Sequence, residues 1–173
     1  MAESLGKPAQ VCTRCGRTQL DSKLKVDEET LKEHLRCSLG GRPFKRTFKI
    51  ADNRVLATFS TLTNSMEQSI VDFLETKLDT KMDVTMLRLL LSLEKLVIVD
   101  PDSGEQIVKW ETTIDERKEF IKDPMKAAEQ LADAIDPLLL QVVRRCHVTF
   151  VILVATILET MVDENFYEGV GLL

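Results

Sequence analysis

The chain has 173 residues, 44% hydrophobic and 29% charged, with a formal net charge of −5. This composition excludes long-range disorder and leaves room for one ordinary domain, or a small module beside a medium one. Aromatic residues make up only 5%, so Leu, Val, Ile and Met must supply most of the core. The charge is uneven: residues 1–50 carry 11 Lys and Arg against 6 Asp and Glu, and residues 51–173 carry 12 against 22. A basic head on an acidic body suits either nucleic acid or an acidic protein surface, and small zinc modules are often basic as well.

Residues 1–10, MAESLGKPAQ, have no apolar stretch, which predicts that no secretory signal is present. Cys12 and Cys15 follow in VCTRCGR, and His34 and Cys37 come after a spacer of eighteen residues. Three thiolates and one imidazole in a C-x2-C, H-x2-C arrangement fill a tetrahedral zinc shell. A filled shell leaves no coordination position for water, so the expected metal is structural and not hydrolytic. The glycine after Cys15 lets the backbone turn toward sulfur. A module of this size needs such a staple, because it cannot bury enough apolar surface alone. The fourth cysteine, Cys146, is left as a free thiol, and a reducing compartment is expected.

Residues 18–26 read as a short hairpin or extended arm. Asp27 is the expected cap of a helix running to about Cys37, with Glu28 and Glu29 in its first turn. His34 and Cys37 then share one face. Gly40-Gly41 and Pro43 end the helix. The predicted boundaries are a zinc-binding module over 1–43 and a hairpin plus mainly helical domain over 44–173. The predicted fold class is mainly α with small β-hairpins, or α+β.

Phe44, Phe48 and Ile50, then Val55, Ala57 and Phe59, alternate around a turn at Ala51-Asp52-Asn53-Arg54 and predict a hairpin. Asn64 with Glu67 predicts the start of a helix carrying Met66, Ile70, Phe73, Leu74 and Leu78. Asp83 predicts the cap of a second helix containing Met86, Leu87, Leu89, Leu90, Leu93 and Leu96. That helix is apolar on most sides and should be central. DPDSGE, between Leu96–Val99 and Gln106–Trp110, predicts a second small hairpin. Thr113 with Glu116, Asp123-Pro124 and Asp136-Pro137 predict three further helix starts. The last of these helices runs from about 137 to 163.

No catalytic constellation stands out, and no enzyme is expected. Cys146 and His147 are adjacent on a helix and so point about 100° apart. No phosphate-binding glycine loop or metalloprotease motif occurs. The acids of DPDSGE lack the calcium-loop pattern. The uncharged run from Cys146 to Leu158 spans 13 residues, short of the roughly 18–20 that cross a bilayer, so no membrane span is expected. Arg14, Arg17, Lys45 and their basic neighbours interleave with Phe44 and Phe48, which would either stack on bases or close a small core. The 137–163 helix carries apolar residues on more than one face, so it is either central to its own domain or completed by a neighbouring subunit.

FKRTFKI, FSTLTNSMEQSIVDFL, TMLRLLLSLEKLVIV, and DPDSGE followed by ERKEFIKDP carry a resemblance. Over residues 44–163 the chain resembles small tail-assembly and baseplate-hub proteins of tailed bacteriophages. The resemblance implies a virion structural or assembly role, with other subunits or copies of itself as partners. It also implies a location in the virion or host cytoplasm, and it brings no catalytic residues. The alternative from the basic head is a nucleic-acid-binding zinc-finger regulator.

Overall fold

The structure is a computed structural model. It describes residues 26–76 and 83–162, together with the backbone of residues 10–11 and 18–19. Strands β1 (Gln10–Val11) and β2 (Thr18–Gln19) pair antiparallel, Gln10 opposite Gln19 and Val11 opposite Thr18. Helix α1 covers Glu28–Leu39. Asp27 caps it as the sequence implied: its carboxylate accepts from the Thr30 amide at 2.8 Å. Gly41 takes a positive φ of 61° after the helix, a conformation that glycine adopts without strain.

Strands β3 (Lys45–Ile50) and β4 (Val55–Ser60) form the expected hairpin. Helices α2 (Asn64–Thr76) and α3 (Val84–Ser92) intervene before β5 (Leu93–Val99) and β6 (Gln106–Glu111). The second hairpin is not separate from the first. β5 pairs antiparallel with β4, so one four-stranded sheet runs β3-β4-β5-β6. The architecture is α+β.

Two local expectations are corrected. Leu93 and Leu96 do not belong to α3. The helix stops at Ser92 and Leu93 turns extended, with φ −71° and ψ 108°. The following LEKLVIV is rich in β-branched residues and fills a central strand with partners on both edges. The α2 cap is Thr63 and not Asn64: the Thr63 hydroxyl accepts from the Met66 amide at 3.3 Å. Glu67 is therefore free to take Arg88 in a two-pronged ion pair at 2.9 and 2.7 Å.

Helices α4 (Ile114–Glu119), α5 (Pro124–Ala134) and α6 (Pro137–Val162) complete the chain's described part. Thr113 and Glu116 make the reciprocal capping box. Asp136 accepts from Leu138 and Leu139 amides at 2.9 and 3.0 Å and starts α6. At 26 residues α6 is about 39 Å long.

One sheet face, with Ala57, Phe59, Leu93 and Leu96, packs on α3, α5 and α6 in the main cluster. Helix α3 is central, as its pattern required. Met86, Leu89 and Leu90 enter that cluster, while Leu87 and Leu91 meet Ile70 and Phe73 of α2 in a second one. Val26, Leu31 and Cys37 of the α1 region also pack on the main cluster.

Candidate functional site

Helix α1 presents His34 and Cys37 one turn apart. His34 is buried, 8% exposed, with its ring 5.3 Å from Phe44. Burial pushes the imidazole below its ordinary pKa and so favours the neutral form that binds metal. Its Nδ1 is buried with no hydrogen-bond partner among the described residues. An orphaned buried nitrogen costs roughly 1–3 kcal/mol, a cost that a bound metal would remove; the Nδ1 of His147 is buried in the same way away from any expected ligand. Cys37 is half-buried and makes no disulfide among the described residues. Two further donors would complete a four-coordinate shell. Cys12 and Cys15 lie outside the described residues, in the interval between the paired strands β1 and β2. Among the described residues no group of three or more His, Cys, Asp or Glu side chains gathers for a metal. The pair on α1 fits zinc in donor chemistry and spacing.

The basic set divides. Lys45 pairs with Glu94 at 2.6 Å and Arg36 with Glu29 at 3.4 Å. Phe44 is 2% exposed, and Phe48 meets Phe59 edge-on at 5.9 Å. Phe44 belongs to the core and offers no face to a base, and Phe48 packs against the core half-buried. Arg14, Arg17, Lys23 and Lys25 lie outside the described residues.

Cys146 and His147 lack the character of a nucleophilic pair. Burial pushes the Cys146 thiol up, and burial with the nearby Arg88 charge pushes His147 down to about 4. Both shifts oppose a thiolate–imidazolium pair. His147 lines a cleft of about 200 Å³ between α6 and the α2–α3 pair, beside Phe150, Val154 and the Glu67–Arg88 ion pair. In the DPDSGE turn, Asp100 accepts from the amides of Asp102 and Ser103, both at 2.8 Å, and these bonds hold its carboxyl below the usual range. It is a turn builder, which accounts for an acid at that position without a cation.

The most unusual surface is on α6. Its inner face buries Leu139, Val143, His147, Phe150 and Ile157. Its outer face leaves Val148 48%, Val151 49% and Leu158 49% exposed, with Leu138 at 71%. By length and composition Pro137–Met161 would also reach across a bilayer once Arg144, Arg145 and Glu159 are tolerated, which the uncharged 13-residue run alone would not. Sequence reasoning located this helix. It did not find Arg117, which is 3% exposed and whose guanidinium reaches the Ser60 hydroxyl at 2.5 Å and the Leu91 carbonyl at 3.0 Å. No local signal marks partners so distant in sequence.

No known protein family, curated protein or solved structure matches the chain.

Proposed function

We propose that this protein is a non-catalytic assembly component of a phage-like tail or baseplate, acting through protein–protein contacts and stapled by one structural zinc. Cys12, Cys15, His34 and Cys37 would hold the metal, which supplies folding free energy to the head and no reactive centre. The observation that carries this reading is the outer row of α6. A helix already anchored in its own core keeps a continuous apolar surface in water, and such a surface suits a protein partner.

The test is incorporation into particles. Val151→Asp lies on the exposed row and should leave the circular dichroism spectrum unchanged. It should remove the protein from purified particles as read by quantitative mass spectrometry. Undiminished incorporation would sink the reading.

The second reading, a nucleic-acid-binding regulator, is favoured by the exposed Arg42, Arg46 and Lys49 beside α1 and β3. It requires affinity for labelled DNA or RNA that falls steeply with salt. Absence of an anisotropy change at low salt would remove it.

A further inference from the structure

We propose that α6 pairs antiparallel with α6 of a second copy of this chain, along Val148, Val151, Ala155 and Leu158. This inference rests on the assembly reading and names one of its partners. The four positions step by three, four and three residues, the period of a two-helix seam. All four are exposed, and they lie on a different side of the helix from Val143, Phe150 and Ile157 in the core.

Charge selects the partner and the direction. Arg145 and Glu159 are exposed, and neither makes an ion pair among the described residues. They are fourteen residues apart, two heptads, and so lie on the same flank of the row. A two-fold axis near the level of Ile152 sets each Arg145 beside Glu159 of the other copy, twice by symmetry. Parallel pairing would leave the two Arg145 side chains at one level on opposite flanks of the seam and would bring neither within reach of a Glu159. The row thus complements itself in one orientation only. A bilayer is a poorer occupant, because Leu139, Val143, Phe150 and Ile157 are committed to the protein's own core. The seam is short, so the pairing belongs among weak, concentration-dependent contacts.

Analytical ultracentrifugation of the full chain tests the pairing. A dimer should populate as the concentration rises toward about 100 µM. Arg145→Glu and Glu159→Arg should each weaken it by about tenfold, and the double exchange should restore it to within about twofold. A monomer throughout the series, or a dimer that the double exchange fails to restore, overturns the pairing. Particle incorporation lost in Val151→Asp from a monomeric chain would also overturn it, while leaving the assembly reading standing. Flotation of the protein with phosphatidylcholine vesicles would overturn both.

Discussion

Two buried polar residues set testable terms at the residue scale. His147 is neutral in the fold, with its pKa pushed down to about 4 from 6.5. The unfolded chain therefore takes up this proton at higher pH than the fold does. Stability contributed by the neutral imidazole is present above about pH 6.5 and is lost as pH falls toward 4, by up to about 3 kcal/mol. Urea unfolding across that window should show the slope, and His147→Leu should flatten it. Arg117 is the second case. Its guanidinium joins the end of β4, through Ser60, to the end of α3, through Leu91 and Ser92, and lies 3.7 Å from Glu94. Arg117→Met leaves the Ser60, Leu91 and Ser92 acceptors without this donor, while Glu94 keeps its pair with Lys45. A loss of roughly 2–3 kcal/mol is expected from denaturant unfolding. Arg117→Lys should recover only part of it, since a single ammonium cannot replace the fork.

At the scale of elements, the starts were legible and the switch was not. Asp27, Asp83, Thr113 with Glu116, Asp123 and Asp136 each announce a helix, because a cap is a contact made within three residues. Leu93 and Leu96 carry no such local label. They continue the helical spacing of Leu89 and also open an alternating strand, and pairing with β4 and β6 decides between the two. The β3–β4 turn shows a different conflict. Ala51, Asp52 and Asn53 all have positive φ, at 50°, 55° and 67°. Asp and Asn tolerate that region, whereas alanine does so at a cost of about 1 kcal/mol. Ala51→Gly should therefore raise stability by about 0.5 kcal/mol after the added chain entropy is counted. Gly104→Ala, at φ 72° in the β5–β6 turn, should lower it by about 1 kcal/mol. Melting curves of the two variants should move in opposite directions.

At the scale of the whole molecule, the question is how far the head and body behave as one. Half of the expected metal set was placed by the sequence on α1, where His34 and Cys37 share a face. What the sequence could not convey is that this helix also leans on the body, through Val26, Leu31 and Cys37 in the main cluster. A ligand bound only by the folded state stabilises every element coupled to it. Treatment with a strong zinc chelator should therefore lower the melting temperature of a single cooperative transition. Two transitions, with only the first moved, would show that α1 unfolds apart from the sheet. Nothing local in the sequence marks this coupling, since its contacts join α1 to residues far along the chain.

Those contacts end in an aromatic column. The ring of His34 meets Phe44, Phe44 stacks on Phe150 at 6.4 Å, Phe150 meets Phe59 at 5.8 Å, and Phe59 meets His147 at 5.7 Å. The chain has two histidines, and they stand at the two ends of this column. It follows that the protein carries its own pair of magnetic resonance reporters. If His34 holds zinc as proposed, its imidazole signals should register the metal itself during a zinc titration. Those of His147, which touch no proposed ligand, move only if the packing between them is rearranged.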